Sequence, residues 1–390
     1  MDFRDSPEQA AWRQEVRQFL EQERPKVDPD VNPVELARER GGILKEWRDK
    51  LAKKGWIAPA WPKEYGGAGL GVMEQFIMNE EFAEARVPNV GGMGVSMIGP
   101  TLIIHGNDEQ KKEHLGAILR GEVQWCQGYS EPGAGSDLAS LQTRAVRDGD
   151  DFVINGQKIW TSGAHNADWM FMLARTDPDA PKHRGITYFL VDMKSPGITV
   201  RPLINMAGGH QFNEVFFEDV RVPARNVVGE INRGWYIGTT TLDFERSSIG
   251  NAVGQRQTLE YYLRYWKEHR GSAVTASASK AAREEFADRW IEAATAKMLS
   301  YRVISLQAAG RVPNYEASIA KLFNTELSQR IARTAMKLLG TSALLTGRDA
   351  PMKGRAPLSY LQTVSSTIAG GTSEIQRNII ATRGLGLPRG

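Results

Sequence analysis

A chain of 390 residues is longer than one hydrophobic core usually sustains, so two or three domains are expected. With 41% hydrophobic and 24% charged residues it reads as a soluble globular protein, and 49 basic against 46 acidic residues give no electrostatic footprint for nucleic acid. The single cysteine, Cys126, excludes an intrachain disulfide and favours a reducing compartment.

The opening segment, MDFRDSPEQAAWRQEVRQFL, is charged throughout and sets Trp12, Val16, Phe19 and Leu20 on one side of a helix. It reads as an amphipathic helix and not as a signal peptide. No stretch reaches the ~18 apolar residues of a membrane span, so a cytoplasmic protein is expected. Helix dominates residues 1–122, as in MEQFIMNEEFAEA (73–85) and in DEQKKEHLGAILRG (108–121), which closes on Gly121. Between them GGMGVSMIGP (91–100) is glycine-rich, and Gly99-Pro100 is expected to break or kink the surrounding helix.

Residues 123–234 change period. Short runs rich in β-branched and aromatic residues follow one another: VQWCQGY (123–129), DFVINGQKIW (151–160), DWMFMLA (168–174), GITYFLVDM (185–193) and EVFFEDVRV (214–222). Asp148-Gly149 and Asn155-Gly156 read as hairpin turns. No helix separates these strands, which favours antiparallel pairing in a small barrel or sandwich. Residues 235–390 return to the helical period, over about 235–269, 280–309, 316–339 and 372–383, interrupted by the small-residue run GSAVTASAS (271–279). The class is α+β: a helical domain, a central antiparallel β domain and a C-terminal helical bundle.

Four stretches could carry chemistry. In QGYSEPGAGSD (127–137), Gly133 and Gly135 would let backbone N–H groups approach a ligand, beside Ser130, Ser136 and Asp137. The third glycine of a Rossmann fingerprint is missing, and a plain strand-to-loop turn is the alternative. In KIWTSG (158–163), a planar heteroaromatic group could stack near Trp160 and bond Thr161 or Ser162, or Trp160 could simply be core. In GGTSEIQR (370–377), Ser373 and Gln376 form a capping-box pair at a helix start that suits an anion or no ligand at all. In LDFERS (242–247), Asp243 and Arg246 share a helix face, while spacing alone leaves Glu245 as one more acidic helix residue. The six histidines show no metal spacing, and no nucleophile elbow or phosphate loop occurs.

Taken in order, WPKEYGGAGL (61–70), HGNDEQKKEHL (105–115), YSEPGAGSDLA (129–139), NGQKIWTSG (155–163), FFEDVRVPARNVVGE (216–230) and GGTSEIQR (370–377) resemble the acyl-CoA dehydrogenase family over nearly the whole chain. The resemblance implies a C-terminal four-helix bundle, with FAD between it and the β domain and the acyl thioester against the flavin. By position Gln127, Tyr129 and Ser130 look like contacts to the flavin pyrimidine end, and Trp160, Thr161 and Ser162 like the flank of the ring. Thr372 and Glu374 would face the FAD phosphate and adenosine portion, while Ser136, Asp243 and Arg246 match positions contacting CoA. The reaction implied is α,β-dehydrogenation to a trans-2-enoyl-CoA, with electrons passed to an electron-transfer flavoprotein.

Two departures from the family pattern sharpen this expectation. Many members keep the base just before the G-T of the C-terminal motif, where this chain has Gly370, whose backbone N–H would serve the thioester oxygen. A subset places a glutamate in an L-x-x-E-R setting, which Leu242 to Arg246 match, so Glu245 is the expected base. The R-x-x-F-G and Q-x-x-G-G stretches that complete a neighbour's FAD site are also absent: the chain reads GSAVTASASKAAREEF (271–286) and KLLGTSALL (337–345) there. That pattern resembles the catalytic subunit of the family's α2β2 heterotetramers, found among bacterial enzymes acting on steroid side-chain CoA thioesters. The alternatives are a flavin-dependent oxidase or monooxygenase of the same fold on a non-CoA substrate, and a non-catalytic partner subunit.

Overall fold

The computed structural model describes residues 4–26, 42–88, 90–245, 250–269, 280–347 and 349–388, and of 242–245, 250, 251 and 280–282 only the backbone. These residues fall into two units, one from Met1–Glu21, Gly71–Arg86 and Arg246–Gly390, the other from Gln22–Leu70 and Val87–Glu245.

The second unit is a sheet faced with helices. Helix α2 (Ile43–Lys53) buries Leu44, Trp47 and Leu51, which recur at helical spacing along one face. Helix α4 (Gly99–His105) is preceded by a π-helical turn at Gly94–Ile98, so the helical path runs through Gly99-Pro100 instead of breaking there. Pro100 sits in the first turn of α4, where its missing N–H costs nothing. Gly99 is required by packing, since a Cβ there would lie 1.9 Å from the Trp61 ring. Helix α5 (Asp108–Arg120) starts at a capping box between Asn107 and Gln110 and stops at Gly121, with φ +65°.

The strands are β1 (Trp125–Gly128), β2 (Arg144–Asp148), β3 (Asp151–Lys158), β4 (Trp169–Arg175), β5 (Ile186–Asp192), β6 (Ile198–Leu203), β7 (Phe212–Pro223) and β8 (Val227–Val228). Their order is β6-β7-β3-β2-β4-β5-β8, with β1 added on β4. Pairing is antiparallel apart from β1 with β4 and a single β2–β4 contact. The β2–β3 hairpin lies between β1 and β4 in sequence and supplies the long connection that a parallel pair needs. Along β4, Met170 and Met172 enter one core while Phe171 and Leu173 enter the other. Both faces are covered, which is why this strand reads as an unbroken apolar run.

One expected turn proves to be something else. Asp148-Gly149 does turn the β2–β3 hairpin, with Asp148 opposite Asp151. Asn155-Gly156 lies inside β3, at a register shift against β7. There the Asn155 side chain donates to the Asp219 carboxylate and accepts from the Asp219 N–H, each at 2.9 Å. Strand partners on both sides outweigh the local turn preference of the dipeptide.

Helix α6 (Gly234–Glu245) belongs to this unit: Ile237 enters the helix-side core and Thr241 Oγ1 lies 2.9 Å from Thr101 Oγ1. In the first unit α7 (Gly250–Glu268), α8 (Lys280–Ala308), α9 (Tyr315–Leu339) and α10 (Arg355–Ser366) share a core that includes Leu259, Phe286, Ile331 and Ala356. Arg13 of α1 (Pro7–Glu23) pairs with the buried Glu80 and Glu81 of α3 (Val72–Glu84) at 2.8 and 2.7 Å, and Lys297 of α8 reaches Glu80 at 2.7 Å. Buried carboxylates persist only when paired in this way. No helix among the described residues is long and apolar enough to cross a membrane.

Candidate functional site

The second unit gathers most of the expected cofactor residues at the ends of β1 and β3. Lys158, the last residue of β3, pairs with Val215 of β7. Pairing resumes at Thr161, whose N–H donates to the Asn213 carbonyl at 3.0 Å, so β3 carries one residue more than β7 over this interval. The outcome is a bulge that throws Trp160 outward, 56% exposed and edge-on to Phe212 at 5.9 Å. Trp160 takes φ +59°, a left-handed conformation that costs a side-chain-bearing residue about 1–3 kcal/mol and is retained where surroundings enforce it. An outward aromatic ring on a strained turn differs from the core tryptophan that a strand usually offers.

Two polar atoms of these segments, Thr161 Oγ1 in the bulge and Gln127 Nε2 on β1, are buried without a hydrogen-bond partner among the described residues. Buried polar groups are normally satisfied, so a ligand with polar edges is what completes them. A flavin, the group implied by the sequence resemblance, carries such edges around a planar ring and fits this pair of atoms and the adjacent indole. Tyr129 is buried, Ser130 and Ser162 are half-buried, and the Ser130 carbonyl accepts from the Ile159 N–H at 3.0 Å, tying the two segments together. Gly133 and Gly135 have open space where a Cβ would be, and Ser136 is exposed next to Asp137, which pairs with Lys182.

Beneath these segments lies a buried ion pair that inspection of motifs overlooks. Lys158 Nζ is fully buried and donates to Glu131 Oε1 at 2.7 Å and to the Tyr129 carbonyl at 3.1 Å. Glu131 Oε1 also accepts from the Thr143 N–H at 2.9 Å, and Oε2 accepts from the Gln142 N–H at 2.6 Å. Burial pulls the Lys158 ammonium down to about 8 against the opposing pull of Glu131. Burial also works to raise Glu131, but the charge of Lys158 and the hydrogen bonds of Lys158, Thr143 and Gln142 outweigh it and hold the carboxyl below its ordinary value. A lysine at a buried position of β3, on the strand that also buries Phe152 and Ile154, was the available signal.

Helix α6 carries Asp243 and ends at Glu245, whose side chains lie outside the description, and Arg246 lies outside the described residues altogether, as do 270–279. In the first unit Gly370 and Gly371 form a turn with φ +64° and +88°. Gln376 Nε2 donates to both of their carbonyls, at 3.0 and 3.3 Å, and Lys321 Nζ donates to that of Gly371 at 2.6 Å. The N-cap of the following helix α11 (Ser373–Ile379) is Thr372, not Ser373: its hydroxyl accepts from the Ile375 N–H at 3.2 Å. Ser373 is therefore the first helical residue, and Gln376 serves the glycine carbonyls instead of a capping box. Glu374 is exposed beside Thr372, and hydrogen bonds from its own backbone and from Thr372 hold its carboxyl below the ordinary value.

Comparison with known proteins gives a consistent assignment along the chain. Three models match, described as the N-terminal, middle and C-terminal domains of acyl-CoA dehydrogenase, over residues 6–122, 126–220 and 232–385. Acyl-CoA dehydrogenase FadE34 of Mycobacterium tuberculosis is 41% identical over 87% of this chain, which spans about half of that relative's length (46%). Two solved structures match the full length of both chains: the Tcur3481-Tcur3483 steroid ACAD, with TM-score 0.85 and 34% identity, and the ChsE4-ChsE5 complex from Mycobacterium tuberculosis, with TM-score 0.83 and 35% identity.

Proposed function

The chain belongs to the acyl-CoA dehydrogenase family, and from that membership we propose that it oxidises an acyl-CoA thioester to the trans-2-enoyl-CoA with Glu245 as the α-proton base. The observation that carries this reading is Gly370, a residue with no side chain and φ +64° at the position where many relatives keep their base. Glu245, at the end of α6 in the L-x-x-E-R setting, is the carboxylate left for that task. An α-proton of a thioester is a very weak acid, and the Gly370 N–H would stabilise the developing enolate oxygen; one such donor is worth about 3 kcal/mol. FAD, when bound, would supply the hydride acceptor.

The remaining residues bind and orient. Trp160, Thr161 and Ser162 would flank the ring, and Gln127, Tyr129 and Ser130 would meet its pyrimidine end. Thr372 and Glu374 face the phosphate and adenosine portion. Ser136, Asp243 and Arg246 hold the CoA moiety. Electrons leave to an electron-transfer flavoprotein. Anaerobic mixing with linear, branched and steroid-type CoA thioesters should bleach the oxidised-flavin absorbance with at least one of them. A chain that bleaches with none and consumes oxygen with a non-CoA substrate is the oxidase or monooxygenase alternative.

We further infer that a second, related subunit completes the FAD site. The absence of the Q-x-x-G-G stretch and of the glycine that would follow Arg283 to Phe286 supports this, as does the likeness to the ChsE4-ChsE5 complex. Purified alone, the chain should retain far less than one FAD per polypeptide, and co-production with a dehydrogenase-like partner should restore it. A yellow, active homomer with stoichiometric flavin would refute the partner.

A further inference from the structure

Asn213 occupies an inward register that apolar residues hold elsewhere on β7: Asn213, Val215 and Phe217 are all buried. Its backbone carbonyl accepts from the Thr161 N–H, and its side-chain Nδ2 donates to the Thr161 carbonyl at 3.0 Å. The same Nδ2 donates to His165 Nδ1 at 3.1 Å, while Oδ1 accepts from His210 Nε2 at 2.9 Å. The rings of His165 and His210 stack at 4.0 Å. Reversing the amide would aim its oxygen at the Thr161 carbonyl, so the orientation is dictated by that contact. Both backbone groups of Thr161 are thus held by one residue, and the Gly163 N–H is held two positions on by the Gln211 carbonyl at 2.9 Å. Trp160 sits immediately before this clamp, in its left-handed conformation.

Resting on the flavin reading above, we infer that Asn213 is a positioning residue: its amide holds the Trp160–Ser162 bulge in the shape that meets the isoalloxazine ring. It touches neither substrate nor cofactor and acts through Thr161. A buried amide enclosed by two imidazoles and a carbonyl has no polar atom left idle, which is more than filling an inward register requires.

The test compares Asn213→Asp and Asn213→Ala with Asn155→Ala, which breaks the Asn–backbone bond at the other irregularity of β3. Asn213→Asp keeps the volume and the acceptor for His210 but faces the Thr161 carbonyl with an oxygen. Hydrogen exchange over 159–163 is read on the chain co-produced with its dehydrogenase-like partner, with and without excess FAD, together with the visible circular dichroism of the flavin. Both Asn213 variants should exchange about tenfold faster at Thr161 and Gly163 and alter the flavin signal. Asn155→Ala should change neither. Wild-type exchange and flavin signal in Asn213→Asp would overturn the inference, as would faster exchange with an unchanged flavin signal, which would leave Asn213 a purely structural residue. If FAD gives the wild-type chain no protection over 159–163, the cofactor reading itself fails and the inference falls with it.

Discussion

With glutamine at position 245, FAD content should be unchanged and turnover should fall by about 10⁴-fold, the upper end of what one positioned proton-transfer group contributes. Glutamine keeps the size and hydrogen-bonding character of the side chain while removing its basicity. The measurement that isolates this step is single-turnover bleaching of the flavin by substrate under anaerobic conditions. A loss confined to KM would mean that Glu245 binds and does not abstract. Near-normal bleaching would remove Glu245 from the chemistry, and Gly370 could not replace it, having no side chain to offer.

Glu131→Gln should be the most destabilising single change at the site, costing about 3–5 kcal/mol in chemical denaturation, because it strips a buried ammonium of its counter-charge. The Lys158→Met, Glu131→Gln double variant should lose less than the sum of the single changes, since no unpaired charge then remains inside. The pair also predicts a pH dependence. Glu131 lies below its ordinary 4.5 in the folded chain, so its stabilisation is present above that value and is lost as pH falls through the lower folded one. Lys158 lies at about 8 against an ordinary 10.5, so the unfolded chain holds this proton longer and stability from this group rises with pH between those values. Denaturation series from pH 3 to 10 on the wild type and on Glu131→Gln check both signs; an unchanged acid limb in the variant would contradict the assignment.

What could be read from the sequence followed the range of the interactions. The apolar run of β4, the capped helix 108–120 and the α-β-α succession all depend on residues near one another in the chain, and all were legible. The parallel placement of β1 on β4 was not, because nothing local to either strand records its partner. Asn155-Gly156 misled for the same reason, its turn preference being overruled by β7. Helix α10 has no counterpart among the helical stretches expected from the sequence; Pro357 falls in its first turn, where a missing N–H is harmless. At the site, Glu245 could be singled out only by resemblance, since its spacing is that of any helix acid. Lys158 and Asn213 offered a purely physical signal, polar residues in buried registers of β3 and β7, which motif reading passes over.

The glycine pair at 370–371 limits what could replace it. Each residue is left-handed, each carbonyl is held by a side chain of its own unit, and a Cβ on Gly371 would fall 2.7 Å from Gln376 Nε2. An acidic residue introduced at 370 would meet a backbone cost of about 1–2 kcal/mol. If Glu245 is the base, position 370 has only its main chain to contribute, and an acidic side chain placed there would be strained as well as redundant.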